Sequence, residues 1–106
     1  MIEAIKGLLG FGPSVDYAEL VKQGAVILDV RSKAECAGGH IKGALNIPID
    51  QLASNLHRLP RKDKPVIICC ASGTRSAAAK FLLGSKGYTA VYNGGSWTGL
   101  ARKLKG

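Results

Sequence analysis

The chain of 106 residues is long enough for one modest hydrophobic core and too short for two, so we expect a single domain. Hydrophobic residues make up 46% of the chain and charged residues 21%, which argues against an intrinsically disordered protein. The formal net charge of +8 favours anionic partners, from small oxyanions to acidic proteins. With only one Trp, three Tyr and two Phe there is no base-stacking surface, and we expect no nucleic-acid partner.

Residues 1–13 are predicted to form an N-terminal helical extension, which Pro13 and neighbouring glycines separate from a domain over residues 14–106. The segment is a poor signal peptide because it contains Glu3, one basic residue and no small-residue cleavage site. It is also too short to span a bilayer, so we expect it to pack on the domain, with a surface-membrane or partner contact as the alternative. Its apolar residues follow helical spacing and are Ile2, Ile5, Leu8, Leu9 and Phe11.

The rest of the chain alternates between helical and strand patterns. Ser14 or Asp16 is expected to cap the first helix of the domain, Ser32 the second, and Asp50 a third helix that ends near Pro60. Continuous apolar runs with few acids predict buried parallel strands. The order is helix 14–24, strand 25–30, helical turn 32–39, strand 44–48, helix 49–60, strand 65–70, helix 76–87, strand 88–95 and helix 96–106. This pattern predicts an α/β fold, a small and mainly parallel sheet flanked by helices on both faces.

The stretch CASGTRS, from Cys70 to Ser76, lies between a buried strand and a helix. In parallel α/β sheets ligands bind beyond the carboxyl ends of the strands, which is where Cys70 falls. A loop of small residues can curl until its backbone N–H groups point inward, and the dipole of the next helix adds to their effect. Such a cradle binds anions and lowers the pKa of a cysteine, while Arg75 adds a fixed charge. The small residues are Ala71, Ser72, Gly73 and Thr74.

A thiolate above an anion cradle is suited to two reactions. It can attack a sulfane sulfur and keep it as a persulfide, or attack phosphorus and keep a phosphocysteine. Four residues separate Cys70 from Arg75, whereas a phosphatase needs a wider loop to enclose a tetrahedral phosphoryl group. We therefore favour sulfur transfer over a phosphatase or an arsenate reductase.

Three stretches carry motifs in a fixed order: AVILDVRSKAECAGGHIKGALNIP, VIICCASGTRSAAAKFLLGSKGY and VYNGGSWTGL. They resemble the D-V-R and G-H-I-x-G-A-x-N-I-P signatures, the C-x-x-G-x-R-S loop with its helix, and the closing Gly-Gly and Trp element of the rhodanese family. That family comprises thiosulfate and persulfide sulfurtransferases, and the chain resembles its single-domain members over about residues 14–104. The resemblance implies the rhodanese fold, a small parallel sheet flanked by helices.

The resemblance also implies roles for single residues. The nucleophile and persulfide carrier falls on Cys70, the loop amides on Ala71 through Ser76, and the arginine that closes the loop on Arg75. The implied donor is thiosulfate or a related small anion, the acceptor is a thiol or cyanide, and no cofactor is required. A second hypothesis is a sulfur-relay or regulatory module that serves an acidic protein acceptor and turns over free thiosulfate poorly.

The remaining cysteines and charges are interpreted as structural. Alternation along the strand turns Cys69 away from Cys70, and Cys36 lies in a helical turn where the family often has an aromatic residue. Asp29 and Arg31 end a buried strand, so we expect an ion pair, with support of the pocket by the Arg31 charge as the alternative. Metal-ligand spacings are missing, so no metal is expected. Free thiols favour a reducing compartment, which we take to be the cytoplasm, and we take the protein to be a monomer.

Overall fold

The computed structural model describes residues 15–105, and the predicted helical extension over residues 1–13 lies outside them. The described part contains a four-stranded sheet in the order β2-β1-β3-β4, in which every neighbouring pair is parallel. The mainly parallel sheet predicted from the sequence is thereby confirmed. The strands are β1 (Val26–Asp29), β2 (Leu45–Asn46), β3 (Val66–Cys70) and β4 (Val91–Ser96); the α-helices are α1 (Tyr17–Lys22), α2 (Lys33–Ala37), α3 (Ile49–Leu52), α4 (Thr74–Ser85) and α5 (Trp97–Lys105).

Alternation of side chains along the strands divides the core into two clusters, one on each face of the sheet. Helices α3 and α4 cover the first face, and α1 and α5 cover the second, so the prediction of helices on both faces is confirmed. Cys70 belongs to the first cluster and Cys69 to the second. The first face includes Leu28, Ile68, Leu52 and Leu83, and the second includes Ile27, Ile67, Tyr17 and Leu100.

Two helix starts follow the capping signals in the sequence. The carboxylate of Asp16 accepts the N–H of Glu19 at 3.0 Å, which caps α1. Ser32 and Glu35 form a reciprocal capping box at the start of α2, with bonds of 3.1 and 2.9 Å. This second cap also fixes the Glu35 side chain at the carboxyl edge of the sheet.

The continuous helix predicted over residues 49–60 is wrong. Helix α3 ends at Leu52, the chain then turns, and a short 3₁₀ helix follows from Leu56 to Arg58. Asp50 lies inside the first turn of α3 and is not its cap. The side-chain amide of Asn55 donates to the carbonyl of Gln51 at 2.8 Å, so a side chain takes the place of the backbone N–H that would continue the helix.

Candidate active site

The topology of the sheet has a switch point at its carboxyl edge, between β1 and β3. From β1 the chain passes to β2 on one side and later to β3 and β4 on the other, so the connections diverge between these two central strands. Open parallel sheets bind ligands at such a switch point. Cys70 is the last residue of β3, and Asp29 is the last residue of the neighbouring β1. The loop that follows Cys70 therefore lies where this architecture places ligands.

The sulfur of Cys70 lies inside a ring of hydrogen-bond donors. Its Sγ accepts the backbone N–H of Gly73 at 2.8 Å and that of Ser76 at 3.4 Å, and the Ser76 hydroxyl lies 3.4 Å away. Helix α4 begins at Thr74, two residues before the predicted start at Ser76. Because the first N–H groups of a helix have no intrahelical partner, those of this turn are free to bond the sulfur.

Gly73 makes the tight curl of the loop possible. Its φ of 103° lies in the left-handed region, where any residue with a Cβ is strained. Space is not the reason for glycine, because a Cβ at this position would lie 3.6 Å from the Cα of Gly95, an ordinary contact. The backbone conformation of Gly73 therefore points its N–H back at the Cys70 sulfur.

The loop favours the thiolate form of Cys70. Burial raises the pKa of the thiol, but hydrogen bonds from the hydroxyl and N–H of Ser76 and from the N–H groups of Gly73 and Ser72 lower it further than burial raises it. The pKa of Cys70 consequently lies below the ordinary value for cysteine. A thiol whose pKa is lowered by fixed donors carries a larger fraction of thiolate, which is its nucleophilic form.

Asn93 on β4 holds this loop in place, and sequence analysis did not single it out. Its Oδ1 accepts the Ser76 hydroxyl at 2.7 Å and the N–H of Gly95 at 2.9 Å, while its Nδ2 donates to the carbonyl of Gly73 at 3.4 Å. The Ser76 hydroxyl has a single hydrogen, so Asn93, the carbonyl of Gly73 at 3.0 Å and the Cys70 sulfur compete for it. The only signal in the sequence was a polar residue inside a strand pattern just before two glycines.

The sequence led us to expect that Arg75 offers its charge to the loop. In the structure its guanidinium is instead paired with Glu35. Its Nη1 and Nη2 donate to the two carboxylate oxygens of Glu35 at 2.7 and 2.8 Å. The hydrogen bonds from Arg75 and from the Ser32 backbone lower the pKa of Glu35 to about 2. The pair thus joins α2, which follows β1, to the loop that follows β3. Glu35 is the second residue of the site that sequence analysis missed.

The family model for the rhodanese-like domain matches residues 15–102. The chain belongs to the rhodanese-like domain family. Its loop, its sheet order and the motifs noted in the sequence agree with this assignment, and the expected rhodanese fold is confirmed. The match covers nearly all the residues that the structure describes.

Relatives of this rhodanese-like domain include proteins of known and unknown activity. An uncharacterized protein of Bacillus subtilis, YqhL, is 44% identical over 69 residues, which are 65% of this chain and 54% of that protein. The chain thus spans about half the length of that relative. Thiosulfate sulfurtransferase GlpE of Pseudomonas fluorescens is 38% identical over 74 residues, 70% of this chain and 67% of GlpE. A structure of a "rhodanese with anions" from E. coli superposes with a TM-score of 0.70 at 32% identity, covering 74% of this chain and 93% of that one.

Cys69 and Cys36 of the rhodanese-like domain are buried free thiols, and Cys69 packs on the face of the sheet opposite to Cys70. Burial and the nearby Asp29 carboxylate raise the pKa of Cys69 to about 12. Burial also raises the pKa of Cys36, and Asp29 contributes again. Both thiols therefore stay protonated and unreactive at neutral pH, which agrees with their structural interpretation.

Arg31 is occupied by a buried hydrogen-bond network. Its Nε and Nη2 donate to the Asp29 carboxylate at 3.0 and 2.8 Å, and Nη2 also donates to the carbonyl of Gly39 at 2.8 Å. The guanidinium lies 4.6 Å from the centre of the Trp97 ring and the side chain is only 4% exposed. The geometry therefore favours the ion-pair interpretation, and Arg31 is not brought to the Cys70 loop.

Residues 15–105 contain no group of three or more His, Cys, Asp or Glu side chains placed to hold a metal ion. The helices found in the same range are all too short or too polar to cross a bilayer. His40 lies outside the ring around Cys70, with its Nδ1 3.0 Å from the carbonyl of Ile41. Among the described residues, the donors within 3.4 Å of the sulfur belong to Gly73 and Ser76, and the N–H of Ser72 adds a weaker contribution.

Proposed function

We propose that the chain is a sulfurtransferase that carries sulfane sulfur as a persulfide on Cys70. The observation that supports this most is the ring of donors around the buried sulfur, with the Gly73 N–H at 2.8 Å and two Ser76 donors at 3.4 Å. The family relationship agrees, since the relative from Pseudomonas fluorescens is a thiosulfate sulfurtransferase. The proposed donor is thiosulfate or a related anion with an outer sulfane sulfur.

In the first half-reaction the Cys70 thiolate attacks the outer sulfur of thiosulfate. A new S–S bond forms to Cys70, the S–S bond of thiosulfate breaks, and its electron pair leaves with sulfite. The terminal sulfur of the persulfide retains one negative charge, so charge is conserved and no proton is consumed. The loop N–H groups that stabilised the thiolate can then stabilise this terminal sulfur without rearranging.

In the second half-reaction a nucleophilic acceptor attacks the terminal sulfur of the persulfide. The bond between the two sulfurs breaks, and its electron pair returns to Cys70 as a thiolate. Cyanide yields thiocyanate in an assay, and a cellular thiol yields a new persulfide. Because Cys70 enters and leaves the cycle as a thiolate, the proposed route needs neither a general base nor a cofactor.

Access to the sulfur requires a small movement of the loop. Cys70 is 0% exposed, whereas the loop residues Ala71 and Ser72 are exposed. We infer that these two residues shift to admit the donor. The net charge of +8 speeds the arrival of anionic donors, most strongly at low salt. All three cysteines are free, which fits a reducing compartment such as the cytoplasm, and the proposed catalyst is a monomer.

Thiocyanate formation from thiosulfate and cyanide tests this proposal, with wild type compared with Cys70→Ser and with the matched control Cys69→Ala. We expect Cys70→Ser to lose activity to the background rate and Cys69→Ala to keep most of it, because only Cys70 lies in the ring of donors. Equal losses in both variants would contradict the assignment of the nucleophile.

If the wild-type protein is inactive in this assay, there are two explanations, and mass spectrometry of Cys70 distinguishes them. A gain of one sulfur atom on Cys70 from another persulfide donor would move the function to a sulfur relay with a protein acceptor. If neither turnover nor a persulfide appears, the proposed sulfurtransferase is wrong and the loop is an anion-binding site.

A further inference from the structure

Arg75 is the one cationic side chain in the segment Cys70–Ser76, and Glu35 occupies both of its outer nitrogens. The carboxylate is itself held in place, since Glu35 Oε1 also accepts the N–H of Ser32 at 2.9 Å in the capping box of α2. Both side chains are about one third exposed, at 36% for Arg75 and 37% for Glu35. A two-pronged ion pair with a fixed carboxylate is a defined geometry.

Both members of the pair are charged at neutral pH. The Arg75 hydrogen bonds are the main reason why the pKa of Glu35 is as low as about 2. The pKa of Arg75 is raised, chiefly by Glu35 and to a smaller degree by the negative sulfur of Cys70. The guanidinium therefore lies within electrostatic range of the nucleophile, and Glu35 cancels much of the positive field that it would exert there.

We propose that Glu35 is a positioning residue that sets the donor preference of the Cys70 site by neutralising Arg75. This inference rests on the proposed sulfurtransferase function. With Arg75 paired, the positive potential at the loop comes mainly from backbone N–H dipoles. This potential falls off faster with distance than that of a full charge, and so favours a dianion over a monoanion less than a free guanidinium would. The site then accepts singly charged sulfane donors nearly as well as dianionic thiosulfate.

Two donors with the same sulfur chemistry separate charge from reactivity. Thiosulfate carries two negative charges and releases sulfite when the Cys70 thiolate takes its outer sulfur. A methanethiosulfonate anion carries one charge and, by the same S–S bond exchange, releases methanesulfinate. In both reactions one S–S bond forms, one breaks, and the electron pair leaves with the sulfur–oxygen fragment. The ratio of kcat/KM for the two donors therefore reports the charge at the site.

The first test measures this ratio in Glu35→Gln, which retains an amide oxygen for Arg75 but removes the negative charge. We expect the preference for thiosulfate over methanethiosulfonate to rise about two- to fivefold at low salt and to shrink as salt is added. Glu19→Gln is the matched control, because it removes the same charge from a residue on α1 whose partners within residues 15–105 are the Asp16 cap and Gln23. An unchanged ratio, or an equal change in Glu19→Gln, would overturn the proposal.

A merely structural role for Glu35 predicts a different result. Loosening of the loop would slow both donors by the same factor and leave their ratio unchanged. The double variant Glu35→Gln with Arg75→Gln removes both charges, so its ratio should return close to the wild-type value. A double variant that kept the raised ratio would contradict neutralisation of Arg75 as the cause.

A second test does not depend on sulfur transfer. Alkylation of Cys70 by anionic iodoacetate, relative to neutral iodoacetamide, measures the local potential at the sulfur. Glu35→Gln should raise this ratio about two- to fivefold, and Glu19→Gln should leave it unchanged. If wild type transfers no sulfur from either donor, the proposed function fails, while the alkylation ratio still decides whether Glu35 neutralises the site. An alkylation ratio that does not change in Glu35→Gln would overturn the inference.

Discussion

Cys69 and Cys70 are neighbours in the chain, yet their surroundings are opposite. Cys69 packs among apolar side chains on the α1 and α5 face beside the Asp29 carboxylate, which together raise its pKa to about 12. Cys70 points to the other face, where it is equally buried but receives hydrogen bonds from Gly73 and Ser76, and its pKa is lowered. Burial alone therefore does not decide the reactivity of a thiol. The reactivity also depends on how many hydrogen-bond donors are directed at the sulfur.

The largest expected effect is the difference in alkylation rate between the two thiols. In wild type treated with iodoacetamide at pH 7, we expect Cys70 to be alkylated more than about a thousandfold faster than Cys69, because its thiolate fraction is larger by that factor. Mass spectrometry of the peptide that contains both residues, fragmented between them, measures the two rates. Comparable alkylation rates would show that the pKa values of Cys70 and Cys69 do not differ as the structure indicates.

The next largest effect is expected when a substitution removes the tight curl of the loop around Cys70. Gly73→Ala places a Cβ at a φ of 103°, which should cost about 1–2 kcal/mol of unfolding free energy and about a hundredfold in sulfur transfer. Urea unfolding and the thiocyanate assay measure the two losses. Gly84→Ala, inside helix α4 with nothing within 4 Å of the new Cβ, is the control and should stabilise by about 0.5–1 kcal/mol. If Gly73→Ala and Gly84→Ala had the same stability and activity, the left-handed backbone of Gly73 would not be what the site requires.

A smaller effect is expected when one donor is removed. Ser76→Ala deletes the hydroxyl that bonds the Cys70 sulfur, so the pKa of Cys70 should rise and alkylation at pH 6 should slow by up to about tenfold. The rates should converge at high pH, where both proteins carry the thiolate. Ser85→Ala, which loses only a bond to the carbonyl of Leu82 at the far end of the same helix, is the control. Overlapping pH profiles for wild type and Ser76→Ala would count against the hydroxyl.

The smallest effect concerns the pair that braces the loop against α2. The pKa of Glu35 is about 2 in the folded protein, below the ~4.3 of an unfolded chain, so the pair stabilises fully above about pH 5 and progressively less towards pH 2. Glu35→Gln should therefore lower the urea midpoint most at pH 6, by a smaller amount at pH 2.5, and hardly at all near pH 1, below both pKa values. Asp63→Asn, in an exposed pair with Arg61, should have little effect at any of these pH values. A deficit in Glu35→Gln that persists near pH 1 would rule out the ion pair as its cause.

Local signals in the sequence predicted most of the fold correctly. Continuous apolar runs indicated the strands, and Ser32 indicated the start of α2. The same signals failed where side chains compete with the backbone. Leucines at helical spacing suggested one helix over residues 49–60, but Asn55 bonds back to Gln51 and ends it early. Such a competition is decided by local geometry that residue spacing does not reveal.

The start of α4 shows the same limit within the site. Alanines suggested a helix from Ser76, whereas the left-handed conformation of Gly73 lets the helix begin at Thr74. Ser76 is thus the third residue of the helix, and its N–H still lies in the first turn, where it has no intrahelical partner and bonds the Cys70 sulfur. The residues of the loop were predictable, but their roles depended on where the helix begins.

By itself, the sequence determined the alternation that turns Cys69 and Cys70 to opposite faces and the small residues that allow the loop to curl. These properties are local, because each depends on residues within a few positions of one another. Only the tertiary structure decided that Asn93 holds Ser76 and that Glu35 holds Arg75 across 40 positions of sequence. Those partners meet because the strand order β2-β1-β3-β4 brings the ends of β1, β3 and β4 to one edge of the sheet, and no local pattern contains that order.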